Sequence, residues 1–202
     1  MSKEKEFLDA KEKALNSLEK AKSESKVDER IKAILDIINE SDDYYTSSSC
    51  AGRIVLIELP QLGDKKGAEF LGKWHRRIEP GEIGGAAKKA KIGMLWLLAQ
   101  SPILHIGANT HDATDNLLKT AISCGFKNSG AKSTGRKIIV EICSTERLDS
   151  PIGKDGKLFC NEEYLNLLVN IANEIMDRSS LKLHRLEEKL EKYLSTRKTT
   201  QR

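Results

Sequence analysis

Hydrophobic residues recur every three to four positions in several stretches of the chain, the spacing expected of one buried face of an α-helix. The first stretch runs from Phe7 to Ala21. The second runs from Asp28 to Asn39, with Asp28 suited to cap its start. Two further helices are predicted, from Pro80 to Lys91 and from His111 to Cys124, the latter ended by Gly125.

A longer helical pattern continues from Leu165 to Tyr193. Its first half is expected to cover a sheet. Its second half is more highly charged, and we expect it to project from the body or to pair with another helix. The pattern therefore predicts one domain at 1–178 and a C-terminal helical extension at 179–202, continuous with the last domain helix and able to form a homodimer.

Short apolar and β-branched runs between these helices predict strands. They are Tyr44–Thr46, Arg53–Leu59, Phe70–Arg77, Met94–Ala99, Ile103–Ile106, Lys137–Ile142 and Leu148–Ile152. Strands and helices alternate without strict βαβ order. We therefore predict the α+β class: a single domain with one mixed β-sheet, flanking helices and a long C-terminal helix.

Composition supports a folded intracellular protein. Of the 202 residues, 39% are hydrophobic and 32% charged, which allows a core under a charged surface. No apolar run approaches the roughly 20 residues that span a bilayer, and the N-terminus lacks signal-peptide features, so we expect a cytoplasmic protein without membrane contact. The cysteines and histidines show no ligand spacing, which predicts free thiols and no metal.

Charge is unevenly distributed around a formal net value of +4. Residues 1–43 hold nine Lys/Arg and twelve Asp/Glu, whereas 64–91 and 117–157 each hold eight against four. A basic middle after an acidic start can present one positive face to a polyanion. The alternative is a mixed, solvated surface.

The stretch from Asp43 to Arg53, with sequence DYYTSSSCAGR, is the most distinctive. Hydroxyls and the backbone around Gly52 can bind an anion, and Arg53 can donate two hydrogen bonds to a carboxylate or phosphate. A tyrosine here could stack on a purine-like ring. The alternative is a polar turn entering a strand. The candidate binding residues are Tyr45, Ser47, Ser48, Ser49, Cys50, Gly52 and Arg53.

Two other polar stretches are candidates for contacts with nucleic acid or cofactor. The first surrounds His75, and the second contains Ser129 and Gly130, which we add to the candidate binding residues. Ordinary surface loops or strand edges are the alternatives. The candidate nucleic-acid-binding residues are Lys73, Trp74, Arg76, Arg77, Lys132 and Arg136.

The polar motif resembles the Ser/Thr-x-Ser-Ser-Cys-x-Gly-Arg signature of the tRNA wybutosine-synthesizing protein 3 family, in its short archaeal form. The resemblance continues through Phe70–His75, Ile103–Ile106, Gly125–Gly130 and Val140–Asp149, and reaches the helix start at 162–164. It implies an S-adenosylmethionine-dependent methyltransferase. Its acceptor would be N4 of a demethylated wyosine-type base next to the anticodon of tRNA(Phe).

The implied reaction requires a proton acceptor, for which Asp43, His75 and His105 are candidates. His105, on an apolar strand, is alternatively a hydrogen-bonded core residue. Cys50 has no histidine beside it in sequence, and N-methylation needs no enzyme adduct, so a packing or binding role is expected. No Gly-x-Gly-x-x-Gly follows a strand, so a Rossmann-type methyltransferase is unsupported. A non-enzymatic RNA-binding or assembly module is the alternative function.

Overall fold

The structure is a computed structural model that describes residues 3–64 and 66–200. Within these residues it has five helices: α1 (Lys3–Ser23), α2 (Glu29–Asn39), α3 (Pro80–Ala87), α4 (His111–Ser123) and α5 (Glu162–Thr200). The nine strands are β1 (Tyr44–Cys50), β2 (Arg53–Leu59), β3 (Glu69–Trp74), β4 (Met94–Gln100), β5 (Ile103–Ala108), β6 (Gly130–Thr134), β7 (Ile138–Cys143), β8 (Arg147–Lys154) and β9 (Lys157–Leu158).

The strands form two sheets, and every pairing among the described residues is antiparallel. The first sheet has the order β1-β5-β7-β6, and the second has the order β3-β2-β4-β8-β9. The α+β class and the long C-terminal helix are confirmed, while two antiparallel sheets replace the single mixed sheet. Alternating hydrophobicity identifies a strand but not its partner, which is why the sequence did not separate the sheets.

Contacts divide the chain into two compact units. The first unit comprises Met1–Ala51, Pro102–Thr145 and Ser179–Arg202, and the second comprises Gly52–Ser101 and Glu146–Arg178. The first unit holds the first sheet, and the second unit holds the second sheet. The boundary at 178/179 coincides with the predicted start of a helical extension, although that division into domains stays a prediction.

The core of the first unit lies on one face of the first sheet. Leu104 and Ile106 of β5 and Val140 and Ile142 of β7 pack there with apolar residues of α2, α4 and α5. The α5 residues are Leu183, Leu186, Leu190 and Leu194, all buried. The second half of α5 therefore does not project from the body, because its apolar stripe completes this core.

The core of the second unit is built in the same way on the second sheet. Ile54 and Leu56 of β2 and Leu95 and Leu97 of β4 pack with Ile83 of α3. The first half of α5 covers them, as predicted, through Leu165, Leu168, Val169, Ala172, Ile175 and Met176.

Local capping fixes where two helices begin and end. Asp28 accepts a hydrogen bond from the Arg30 backbone nitrogen at 3.1 Å, so its predicted capping role is confirmed. Thr110 caps α4 through the Ala113 nitrogen at 3.0 Å. After α4, Gly125 has φ of 99°, a left-handed conformation that glycine adopts without strain.

Two strands were not predicted from the sequence. They are β6, whose mostly exposed residues lack alternation, and the two-residue β9.

Candidate functional site

A row of four polar side chains crosses the first sheet from one edge to the other. Ser48 of β1 lies opposite His105 of β5, and His105 lies opposite Glu141 of β7. Ser48 Oγ is 2.9 Å from His105 Nδ1, His105 Nε2 is 3.0 Å from Glu141 Oε2, and Lys132 Nζ of β6 is 2.7 Å from Glu141 Oε1. We call Ser48, His105, Glu141 and Lys132 the polar row.

Strand alternation places the central part of this row. His105 lies between Leu104 and Ile106, which are buried in the core of the first unit, so its side chain projects from the opposite face. Glu141 lies in the same way between two buried residues of β7.

A bulge brings Ser48 into the row. Thr46 pairs with Ile106 and Ser48 with His105, so Ser47 is the extra residue in β1. In an unbroken ladder Ser47 would stand opposite His105. Instead, the Ser47 hydroxyl donates to the His105 carbonyl at 3.3 Å.

The electrostatics of the row define the hydrogen-bonding role of His105. Hydrogen bonding by Lys132 lowers the pKa of Glu141; burial opposes this shift, and the His105 hydrogen bond adds to it. Glu141 is therefore an ionised acceptor for a His105 Nε2–H donor. In the tautomer that carries its proton on Nε2, His105 accepts at Nδ1 from the Ser48 hydroxyl. The row can accept one proton at Ser48, pass it to His105 and stabilise the resulting cation with Glu141.

The next residue of the motif, Ser49, has a buried hydroxyl oxygen without a hydrogen-bond partner in the described part of the chain. Buried hydroxyls are normally paired, so this oxygen is a candidate ligand contact. A cavity of about 230 Å³ lies beside it, lined by Ser47, Ser48 and Ser49 of β1 and by residues of α1 and α2. Ligand pockets typically measure about 300–1,000 Å³, so this cavity suits part of a cofactor.

The two tyrosines of the motif are buried in the first unit, and Tyr45 lines a cavity of about 240 Å³. The Tyr44 hydroxyl donates to the Ala113 carbonyl at 2.8 Å. The Tyr45 ring packs against Phe7 with 5.3 Å between ring centroids, and burial raises the pKa of the Tyr45 hydroxyl. Cys50, half-buried, is a free thiol opposite Ile103.

Asp43 does not join the polar row. Its carbonyl accepts from the Asn109 nitrogen at 2.9 Å, and Asn109 lies four residues beyond His105, about 13 Å along a strand. Asp43 instead lines a cavity of about 730 Å³ with Glu40, Glu188 and Glu191. Acidic walls disfavour a phosphate or carboxylate ligand there.

The stretch from Ser129 to Arg136 is divided among different roles. Ser129 Oγ donates to the Phe126 carbonyl at 2.7 Å and accepts from the Cys143 nitrogen at 3.1 Å, which holds the loop before β6. Gly130 faces Glu141 across the ladder, with open space where a side chain would project. Arg136 is ion-paired with Glu6. Within this stretch, Lys132 alone belongs to the polar row.

In the second unit, Arg53 and Lys73 both lie close to the Phe70 ring. Arg53 Nε donates to Gln100 Oε1 at 2.7 Å, and its guanidinium carbon is 5.6 Å from the centroid of the Phe70 ring. Lys73 Nζ is 4.7 Å from the same centroid.

The residues around this group differ in their exposure. Gly52, with φ of 89°, precedes Arg53 in a conformation that favours glycine. The half-buried Trp74 packs against the core of the second unit. His75 is exposed just after β3. Continuing the β2–β3 register by one residue sets His75 opposite Arg53.

Arg76 and Arg77 each pair with a carboxylate. Arg76 contacts Glu82 at 2.7 Å, and Arg77 pairs with Asp177. The Arg76 hydrogen bonds, together with the Glu79 backbone nitrogen, lower the pKa of Glu82 to about 2. A tRNA phosphate would have to compete with these carboxylates for either arginine.

We expect the Glu82 carboxyl to titrate at about 2 when side-chain carbon shifts are followed by NMR. Because this pKa is lowered on folding, the stabilisation is complete above pH 4.5 and is lost as pH falls towards 2. Arg76→Ala should move the titration back towards 4.5, and the control Arg77→Ala should leave it unchanged. An unchanged titration in Arg76→Ala would contradict this assignment.

The sequence analysis missed Glu141 and Phe70. A signal for Glu141 was available: it is a charged residue between apolar neighbours in a predicted strand, so it lies on the exposed face that His105 shares. Phe70 began a predicted strand, but nothing in the sequence distinguished an exposed phenylalanine from a core one.

Metal-binding and membrane-spanning features were sought in the described residues. In 3–64 and 66–200, no group of three or more His, Cys, Asp or Glu residues could hold a metal ion. No helix in that part of the chain is long and apolar enough to cross a membrane.

Comparison with known proteins decides the family. The model of the family described as methyltransferase TYW3 matches residues 9–192. The chain belongs to the methyltransferase TYW3 family. The resemblance found in the polar motif is thereby confirmed, and so is the methyltransferase class.

Several proteins similar to this chain carry names that state a methyltransferase activity. A Pyrococcus horikoshii protein is 50% identical over 185 residues, covering 91% of this chain and 94% of its own length. It is named tRNA(Phe) 7-((3-amino-3-carboxypropyl)-4-demethylwyosine(37)-N(4))-methyltransferase 1. A Methanocaldococcus jannaschii methyltransferase named for the same reaction is 40% identical, covering 86% of this chain and 91% of its own length.

Solved structures share the fold of this TYW3 family member. The PH1069 protein of Pyrococcus horikoshii has a TM-score of 0.89 at 49% identity, covering 94% of this chain and 98% of that one. A hypothetical protein from Aeropyrum pernix has a TM-score of 0.71 at 28% identity, covering 82% and 98%.

Proposed function

We propose that this chain methylates N4 of 7-(3-amino-3-carboxypropyl)-4-demethylwyosine at position 37 of tRNA(Phe), using S-adenosylmethionine. The names of two similar proteins, at 50% and 40% identity, support this substrate. Because the proposed substrate is a tRNA, we place the protein in the cytoplasm as part of the same proposal.

The polar row carries this proposal, because the reaction must remove one proton from the acceptor nitrogen. As the new C–N bond forms, the N4 proton moves to Ser48 Oγ and the Ser48 hydroxyl proton moves to His105 Nδ1. The imidazolium that results is held between Ser48 and the ionised Glu141. Proton acceptance by a positioned side chain typically contributes about 10²–10⁴-fold in rate.

The methyl donor fits the polar edge of the first sheet. S-adenosylmethionine supplies, when bound, a methyl group on a positively charged sulfur that leaves with the electron pair of the broken bond. The unpaired Ser49 hydroxyl can bind a carboxylate or hydroxyl of this cofactor. Because β1 is an edge strand, a ligand along it can reach Ser48 on one face and Ser49 on the other.

The basic side chains of the predicted tRNA surface differ in what holds them. Lys73 has no carboxylate partner among the residues the structure describes, whereas Lys132, Arg76, Arg77 and Arg136 each have one. We propose that Lys73 contacts a tRNA phosphate, because this contact does not require an existing ion pair to break.

The decisive experiment mixes the protein and S-adenosylmethionine with tRNA(Phe) from cells that lack this gene. We expect mass spectrometry of the digested tRNA to show one methyl added to the tricyclic base. No added methyl, with the demethylated base shown to be present, would favour the RNA-binding or assembly module. Methylation of unmodified guanosine would keep the reaction and overturn the substrate.

A homodimer through the C-terminal helix stays a proposal. The leucines from 183 to 194 are buried in the first unit and cannot contribute. The exposed apolar residues of α5 are Tyr164, Leu167, Ile171 and Leu181, so a second copy would have to use these.

A further inference from the structure

Phe70 is a large apolar side chain that the fold leaves in solvent. It is 48% exposed and lies on β3, an edge strand of the second sheet. Its neighbour Leu71 is 5% exposed and packs into the core of the second unit, whereas Phe70 pairs with Ile57, and neither of these two residues belongs to that core. The packing of the unit does not explain an aromatic residue at this position.

The surroundings of Phe70 are cationic. Lys73 Nζ and the Arg53 guanidinium carbon lie 4.7 and 5.6 Å from its ring centroid. Gln100 fixes the Arg53 side chain through a 2.7 Å hydrogen bond, so this charge is held in place before any partner binds. Neither cation forms an ion pair with a carboxylate in the part of the chain that the structure describes.

An exposed aromatic ring with two cations close to it has the chemistry of a single-stranded nucleic-acid site. A base stacks on the ring, and the phosphates on either side meet the cations. Cation–π contacts at exposed sites are weak, so an incoming base can displace the lysine from the ring while its charge moves to a phosphate. An apolar protein partner would instead bury the two cations without giving them a negatively charged partner, which is costly.

We propose that Phe70, Arg53 and Lys73 form a platform that stacks one unpaired base of the tRNA anticodon loop and binds its flanking phosphates. The identity of this RNA rests on the proposed function. The platform itself rests on the geometry of the second unit.

The test is fluorescence anisotropy of labelled tRNA(Phe) titrated with the full chain at several salt concentrations. Stacking on an aromatic side chain is worth roughly 5- to 100-fold in Kd, so Phe70→Ala should weaken binding by about that factor. Because Phe70 carries no charge, this variant should leave the salt dependence of Kd unchanged. Lys73→Ala should reduce the log–log salt slope by roughly 0.7 for one phosphate contact on a single strand.

A matched control and a rescue make the result specific. Phe159, 73% exposed in the same unit, has no cation over its ring among the described residues, so Phe159→Ala should bind like the parent. Phe70→Trp should keep the affinity, because it keeps a stacking surface. A 2-aminopurine placed in the anticodon loop should lose fluorescence on binding, and Phe70→Ala should abolish this quenching.

Equal Kd values for Phe70→Ala and Phe159→Ala, with loop quenching unchanged, would overturn the platform. This outcome is distinguishable from failure of the proposed function. If methylation failed but RNA binding still depended on Phe70, the proposed methyltransferase function would be rejected and the platform would stand. If methylation were normal and Phe70→Ala had no effect on RNA binding, the platform would be rejected and the proposed function would stand.

Discussion

His105→Ala should lower kcat for tRNA methylation by about 10²–10⁴-fold, with little change in KM for tRNA. The substitution removes the group that takes the proton through Ser48, and this contribution is made in the transition state rather than in substrate binding. Single-turnover methyl transfer to demethylated tRNA(Phe) measures it directly. Glu141→Gln should also lower kcat, by a smaller factor, because it removes the charge that stabilises the imidazolium.

His184→Ala is the matched control for this variant. His184 lies on α5 with a 69% exposed side chain, and its Nε2 is 3.5 Å from Glu188 Oε1 on the same helix. It should therefore keep full activity. Thermal unfolding should show all three variants folded. A His105→Ala protein that melts normally and retains its kcat would exclude His105 as the proton acceptor.

Leu186→Ala should lower the free energy of unfolding by about 2–5 kcal/mol, because it leaves a cavity in the core of the first unit. Leu186 is fully buried there, beside residues of α2, α4 and the first sheet. Denaturant unfolding followed by circular dichroism gives this difference.

The control for Leu186→Ala is the same substitution five residues earlier on the same helix. Leu181 is 59% exposed, so Leu181→Ala should change stability by less than about 0.5 kcal/mol. Equal effects of the two substitutions would contradict the burial of Leu186 in the core of the first unit.

Much of the secondary structure could be predicted because its signals are local. The three-four spacing of α2 and α5, the Asp28 cap and the positive φ at Gly125 each depend on a few neighbouring residues. The predicted ends of strands and helices were less accurate. The strand predicted from Phe70 to Arg77 runs from Glu69 to Trp74, and the helix predicted to reach Lys91 ends at Ala87.

The candidate site could be predicted in part. The sequence indicated Ser48, His105 and Lys132 separately, on the grounds of side-chain chemistry and of a family motif. It predicted that a tyrosine of the motif could stack on a purine-like ring, and packing places the ring of Tyr45 against Phe7. The role of Glu141 depends on its pairing with His105 in a neighbouring strand, a contact between residues 36 positions apart.

The helices, most strands, the α+β class and the family could be inferred from the amino-acid sequence, since periodicity, capping and motif spacing are properties of neighbouring residues. The pairing of the strands, the place of the bulge at Ser47 and the face that each half of α5 covers depend on contacts between residues far apart in the chain. A one-residue bulge exchanges the side chains that meet across a ladder, and no local pattern records it. The hydrogen bond between Ser48 and His105 exists because of that bulge.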